Sequence, residues 1–361
     1  MLMAPMLNKG RALQALIAIT FLTWLVWFPT ECVQSFDNLA ARLDHRRIIA
    51  KGQLEGSASA PDKECSSECA YGSLPGIWTK RGSAEQHWNV LRPGCELSDL
   101  VTPLIEAING KRSPSSLPFM GSTLDNGILL IGDSLDRKLL EQFCGKTRGR
   151  IFLSEPFSAQ KFSAPLCCRQ PDDAPVKFRL CQFWHGGVNP VGPYHAHGYM
   201  SCGSTSKAVN DCPDEPQYDI RTTHRLSEVL PEFLKHDYNS HGPGLVSVRS
   251  LFWDLHRLLD YDEASLRFYD SMDDLHIMNE WMKNATQFIN LVKAVTPADA
   301  VNVWATTPTP KESRGYHNKR YCVPMNAAAR TVATAEHWQL VDLAHMVESL
   351  ELEAWSADGK H

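Results

Sequence analysis

A serine, a histidine and an aspartate are spaced along this chain as acyl-transfer chemistry would need them. Gly132-Asp133-Ser134 follows the apolar run Gly127 to Ile131 and precedes Leu135 to Leu140, which has helical spacing. A serine that ends a buried strand and opens a helix lies where backbone N–H groups and the helix dipole stabilise an oxyanion, so Ser134 is read as a nucleophile. At neutral pH such a hydroxyl needs a general base, usually an imidazole held in one tautomer by a carboxylate. Asp342-Leu343-Ala344-His345 supplies both groups, and its i, i+3 spacing puts them on one side of a turn. The plainer alternatives are an N-cap serine at 134 and a helix-capping Asp342 beside a solvated His345.

A Gly-Asp-Ser string is cheap by itself, so its setting decides. In open α/β sheets ligands bind beyond the carboxyl ends of the strands, where a strand-turn-helix serine sits. The chain holds a second Asp-x-x-His, Asp273-Asp274-Leu275-His276, but that one opens an amphipathic stretch in which aspartates serve as caps and dipole partners. Asp342 and His345 instead follow an apolar run, at the sheet edge where Ser134 is expected, and are preferred.

The elements that must position these residues read as alternating strands and helices, the pattern of a doubly wound α/β layer. Strands are predicted at Gly127 to Ile131, Val176 to Phe183, Gly244 to Ser250, Ala300 to Ala305 and Trp338 to Val341. Helices are predicted at Leu135 to Phe143 and Asp274 to Val295; in the second, Ile277, Trp281, Ala285, Phe288, Leu291, Val292 and Val295 form a core-facing stripe. Residues 184–220 form a long Gly/Pro/His/Cys loop, of the length that is functional or disulfide-braced in compact domains. No internal repeat is visible. Residues 31–63 read as a stem or linker, and residues 64–361 as the folded domain, introduced by a disulfide-tied N-terminal extension that spans Cys65 to Cys95 and packs on it.

The N-terminus gives an address. Residues 1–30 read as a short cytoplasmic tail and a signal anchor: Ala12 to Phe28 is an uncharged run at the short end of what spans a bilayer. Lys9 and Arg11 precede it, Glu31 and Asp37 follow it, and Trp24 and Trp27 suit the far interface, so the rest of the chain is expected in the lumen. A cleaved signal peptide is the alternative, although Pro29-Thr30-Glu31-Cys32 is a poor cleavage site. Apart from Cys32, ten cysteines (65, 69, 95, 144, 167, 168, 181, 202, 212 and 322) make an even set able to pair in an oxidising compartment, with the connectivity open. There is no CxxC pair, and His185, His195 and His197 lack regular ligand spacing, so neither a metal nor another cofactor is expected. The sequon Asn284-Ala285-Thr286 is a candidate glycosylation site. With 43% hydrophobic and 21% charged residues the chain is globular, and a net charge of −5 without a Lys/Arg stripe argues against nucleic acid as a partner.

Gly-Asp-Ser early and Asp-x-x-His late resembles the block I and block V pairing of the GDSL/SGNH hydrolase superfamily. More narrowly, the chain resembles the trichome birefringence-like and PC-esterase families, whose plant members are Golgi polysaccharide O-acetyltransferases. The matching residues are Gly76-Ile77-Trp78 after Cys69, Gly94-Cys95-Glu96-Leu97, Gly110-Lys111-Arg112 and Gly132-Asp133-Ser134-Leu135-Asp136-Arg137. Thr306-Thr307-Pro308, Tyr321-Cys322 and Asp342-Leu343-Ala344-His345 follow. The resemblance implies a flavodoxin-like three-layer α/β/α fold and a type II single-pass Golgi membrane protein with a luminal catalytic domain, or a secreted one. It also implies a catalytic triad of Ser134, His345 and Asp342 that passes an acyl group, in the first instance acetyl, to or from a glycan hydroxyl.

The chain departs from the superfamily at block III, where Ser250-Leu251-Phe252-Trp253-Asp254 stands in place of Gly-x-Asn-Asp. The oxyanion-donating Asn is replaced by Trp253, a residue suited to a sugar-stacking wall or to the core. The remaining oxyanion and substrate candidates are the Ser134 N–H, Asp133, Arg137, Gly186 and Gly187 of Trp184-His185-Gly186-Gly187, and Asp254. The family's cysteine and tryptophan around Asp-x-x-His are also missing, since Met346-Val347-Glu348 follows. The expected partners are a polysaccharide or glycan acceptor and an acyl donor. The rival expectations are a secreted esterase or lipase on small esters, and a non-catalytic glycan-binding module on the same fold.

Overall fold

The structure is a computed structural model that describes residues 76–81, 85–91, 101–117, 123–155, 157, 163–190, 221–238, 241–255, 275–309 and 319–348. The expected anchor and stem, the start of the folded domain at 64, Cys32, Cys65, Cys69, Cys95, Cys202, Cys212, His195 and His197 lie outside the described residues. Among the described residues no helix is long and apolar enough to cross a membrane.

Within the expected Cys65 to Cys95 extension, β1 (Gly76–Arg81) and β2 (Glu85–Val90) pair antiparallel as a two-stranded sheet. Helix α1 (Val101–Ile108) follows and buries Val101, Leu104, Ala107 and Ile108, one stripe at helical spacing.

Among the described residues the main sheet has seven strands, β3 (Ile128–Gly132), β4 (Arg150–Leu153), β5 (Leu166–Arg169), β6 (Leu180–Trp184), β7 (Leu245–Val248), β8 (Val301–Ala305) and β9 (Gln339–Val341). Their spatial order is β4-β5-β6-β3-β7-β8-β9. Strands β6, β3, β7, β8 and β9 are parallel, and counted among themselves they lie in the order 2-1-3-4-5, so the chain's winding reverses between β3 and β7. Every residue of β3, β6 and β7 is buried. Continuous apolar runs are what parallel strands covered on both faces require.

Strand alternation sends the side chains to two cores. Leu129, Ile131, Phe183, Val246, Val248 and Trp304 meet one layer of helices: α3 (Leu230–Asp237), α4 (Leu275–Val295) and α5 (Lys319–Ala335). Ile128, Leu130, Leu180, Leu245 and Val303 meet the other: α1, α2 (Ser134–Lys146) and α6 (Leu343–Glu348). The stripe expected on α4 is there, with Ile277, Trp281, Ala285, Phe288 and Val292 buried.

Strands β4 and β5 extend the sheet antiparallel from β6. Two disulfides fasten them: Cys144 of α2 to Cys168, and Cys167 to Cys181 of β6. Neighbours in a strand point to opposite faces, so Cys168 ties β5 to the α2 layer while Cys167 ties it to the next strand on the other face. The set of ten pairing cysteines is corrected at one position. Cys322 is free, buried on the core side of α5 among Met325 and Ala329, where it fills space as a small hydrophobe.

Candidate functional site at the carboxyl edge of the sheet

Strand β3 ends at Gly132, and Ser134 is the first residue of α2. The intervening Asp133 is the N-cap: its Oδ1 accepts the Leu135 N–H at 2.9 Å, and its carbonyl accepts the Arg137 N–H at 3.2 Å. A capping carboxylate satisfies a helix donor that has no backbone partner, so Asp133 acts on the turn, where the sequence suggested an oxyanion or substrate role. The Gly132 carbonyl accepts from Gln182 Nε2 at 3.0 Å and from the His185 N–H at 3.3 Å, which fixes the turn from below. The Ser134 side chain is exposed, and among the described residues its hydroxyl makes no hydrogen bond.

Gly132 has a specific reason to be glycine. A Cβ there would lie 1.7 Å from Asp136 Oδ2, the carboxylate that α2 turns back under the strand end. Asp136 is buried and binds Arg249 through two hydrogen bonds, Nε to Oδ2 at 3.1 Å and Nη2 to Oδ1 at 2.6 Å. Arg249 leaves the end of β7, and its own N–H donates to Ile131 O at 3.0 Å. The pair therefore joins β3, α2 and β7 at the point where the winding reverses. Burial pushes the Asp136 carboxyl above its ordinary range, and the Arg249 guanidinium pulls the other way. In the sequence, Asp136 falls within the Gly132 to Arg137 motif without a role of its own, and nothing singles out Arg249. The only sequence signal was position, an acid one turn into the helix and a base directly after an apolar strand.

On the β6 side, His185, Gly186 and Gly187 are buried. His185 Nε2 lies 2.9 Å from Arg249 O, and Nδ1 lies 3.1 Å from the Gly187 O and 3.2 Å from the Gly187 N, whose N–H it accepts. The Gly187 N–H is thereby occupied. Gly187 has φ +97°, and a Cβ on it would lie 2.5 Å from Asp254 Oδ1. Asp254 is buried, accepting Ser250 Oγ–H at 2.5 Å and the Val188 N–H at 2.8 Å, so it clasps the loop after β6 to the segment after β7. Burial raises its pKa as well, with Ser250 the largest opposing influence. Half-buried Trp253 meets Trp184 edge to face at 5.8 Å, on the same edge of the sheet as Ser134.

At the far strand, Asp342 directly follows β9 and is buried. Its carboxylate takes a two-pronged contact from Arg330 of α5, at 2.7 and 2.8 Å, and accepts Thr306 Oγ1–H at 2.9 Å. Thr306 in turn receives the Ala344 N–H at 2.9 Å, and the His345 backbone N–H reaches Asp342 Oδ1 at 3.3 Å. Asp342 and Thr306 thus cap α6, and His345 is exposed in its first turn. Ser134, Asp342 and His345 share one edge of the sheet. Strands β7 and β8 stand between β3 and β9, however, a separation of roughly 14 Å at ordinary strand spacing. No hydrogen bond joins Ser134 to His345, so the triad is not closed in this structure.

The remaining expected residues scatter. Arg137 is half-buried on α2. Asn284 is half-buried within α4, not on a surface loop, and His276 is the second residue of the same helix, while Asp273 and Asp274 lie outside the described residues. Among the described residues no group of three or more His, Cys, Asp or Glu side chains is placed to hold a metal. No protein-family model matches the chain, and comparison with curated proteins and with solved structures gave no match either.

Proposed function

We propose that this chain is a serine-dependent O-acyl transferase or esterase of the SGNH type, acting on glycan O-acyl groups through an acyl-serine. The reading rests most on the placement of Ser134: an exposed hydroxyl with no hydrogen-bond partner among the described residues, at the carboxyl end of a central parallel strand, beside the winding reversal where open sheets bind ligands. The 2-1-3-4-5 order of the parallel strands and the helices on both faces favour the flavodoxin-like three-layer arrangement that the motifs imply. His345 takes the hydroxyl proton as the serine oxygen attacks the acyl carbonyl, and the Ser134 N–H at the α2 terminus stabilises the oxyanion. The donor's C–O bond breaks and its alcohol leaves with that proton; a sugar hydroxyl or water, giving its proton to His345, then takes the acyl group and frees the serine. His345 is the base in this reading, oriented by Asp342 once α6 approaches the serine, since catalytic hydrogen bonds commonly tighten only with substrate bound. The two disulfides fit an oxidising compartment, and with the N-terminal apolar run they favour a Golgi-lumen address.

One observation favours a second reading, a non-catalytic glycan-binding module. Asp342 is already occupied by Arg330 and Thr306, so its present task is to cap a helix. The deciding experiment measures acetate release from an aryl acetate, and transfer to added oligosaccharides, by the full chain in detergent beside Ser134→Ala. Activity lost in the variant supports the acyl-serine, and the product separates transferase from esterase. Inactivity of both proteins together with undiminished oligosaccharide binding supports the module.

A further inference from the structure

We propose that the opposite end of the sheet holds a second binding site, for a small polyhydroxylated molecule bearing one oxyanion, such as an acidic sugar or a sugar phosphate. A cavity of about 560 Å³ opens there, lined by residues that lead into the amino ends of β3, β6 and β7. It lies at the end of those strands away from Ser134, so this inference does not depend on the acyl-serine.

Its distinctive feature is a row of arginines. Arg150 of β4 faces Arg169 of β5 directly, and Arg179 comes one residue before Leu180, the residue that pairs with Cys168 beside Arg169. Like charges directly opposite one another across strands destabilise a sheet. Among the described residues none of these guanidiniums has a hydrogen bond or an ion pair; two rest on aromatic rings, Arg169 on Phe152 at 4.4 Å and Arg179 on Tyr238 at 5.5 Å. A guanidinium stacked on a ring keeps its in-plane N–H groups directed outward for an oxyanion.

The support beneath is rigid. Tyr238 is buried and donates its hydroxyl to Ile128 O at 2.6 Å. The Cys167–Cys181 disulfide, two residues from each of Arg169 and Arg179, locks the two strands on that same face. Arg169 and Arg179 both line the cavity, which therefore presents two prearranged anion forks.

The rest of the lining identifies what carries the anion. Asp125, Asp172 and Asp237 face the same cavity and would repel a bare phosphate or sulfate. They are acceptors for hydroxyl groups, as Asp237 already is for Ser154, and the amides of Asn126 and Gln170 add further polar groups. The volume suits a molecule far larger than an inorganic ion. One charged group on a hydroxylated frame meets both halves of the lining.

The test is calorimetric titration of the full chain with glucose 6-phosphate and with glucuronate, against glucose and inorganic phosphate as controls. At least one acidic sugar is expected to bind, and the preferred one distinguishes phosphate from carboxylate. Each control should bind at least about tenfold more weakly, the loss expected when one charged or several hydroxyl contacts are removed. Arg169→Gln, at an exposed position, should weaken the preferred ligand by a similar factor, with Arg169→Lys between the two. Without ligand, Arg169→Gln should unfold at a higher temperature than the parent, because a repulsive pair is gone. Absence of binding by both acidic sugars at millimolar concentration overturns the proposal. So does inorganic phosphate binding as tightly as glucose 6-phosphate, or Arg169→Gln binding like the parent.

Discussion

Asp136 and Arg249 meet across the boundary between β3 and β7 in a buried pair of hydrogen bonds, 2.6 and 3.1 Å long, and the hydrogen of Gly132 is what leaves room for the carboxylate. Removing one partner of such a pair leaves an uncompensated buried charge. Arg249→Met is therefore expected to cost about 3–5 kcal/mol in denaturant unfolding, and Asp136→Asn with Arg249→Met to recover much of that loss. Gly132→Ala should destabilise as severely as Arg249→Met, and its cost should be far from additive with that of Asp136→Ala, because its methyl group collides with that one carboxylate.

Ser134 and Asp133 should separate cleanly. Ser134 is exposed and its hydroxyl bonds to no described residue, so Ser134→Ala should leave stability within about 0.5 kcal/mol while abolishing aryl acetate turnover. Asp133→Ala removes the α2 cap and should cost about 1 kcal/mol, with a smaller loss of turnover through misplacement of the serine. Thermal unfolding and initial rates on the same preparations check both.

Arg330 tests what Asp342 is for. Arg330→Met removes two charge-assisted bonds from a buried carboxylate and is expected to destabilise by about 2 kcal/mol. If Asp342 orients His345, freeing it from Arg330 should leave turnover per folded molecule unchanged or raised, whereas His345→Ala should abolish it. Turnover that survives His345→Ala removes His345 from the mechanism.

Burial raises the pKa of Asp136 and of Asp254 above the ordinary 3.8, so the folded state favours their protonated forms. The stability this contributes is full below the unfolded value and is lost as pH rises through the folded values. Unfolding temperature should therefore carry a component that falls as pH climbs from about 3.8, and Asp254→Asn should flatten that component. A scan of midpoint against pH for parent and variant measures it.

The strands around the site were legible because each reads as a largely apolar run, wholly buried in β3 and β7 and mostly so in β8: β3, β7, β8 and β9 all fall within a residue or two of their predicted spans. The strand predicted from Val176 starts only at Leu180, because residues 176–179 alternate in burial without joining the ladder. Strands β4 and β5 were missed. Both are short, β4 is largely exposed at the edge, and the cysteines of β5 read as bonding groups before they read as a strand. Helix α5 was hidden by Pro324 and by a buried stripe made largely of alanine, whose hydropathy signal is weak. The placement of Ser134 was readable from strand-turn-helix patterning. The Asp136–Arg249 pair was not, since hydropathy assigns charged residues to the surface unless their partners are known.

Adjacent Cys167 and Cys168 impose an order of events on oxidation. In an unfolded chain the two thiols are chemically equivalent neighbours, and either can reach Cys144 or Cys181. Only the pleat of a formed β5 turns one toward each partner, so the strand must register before its sulfurs are committed. Premature oxidation would trap the crossed isomer, whose repair needs thiol exchange.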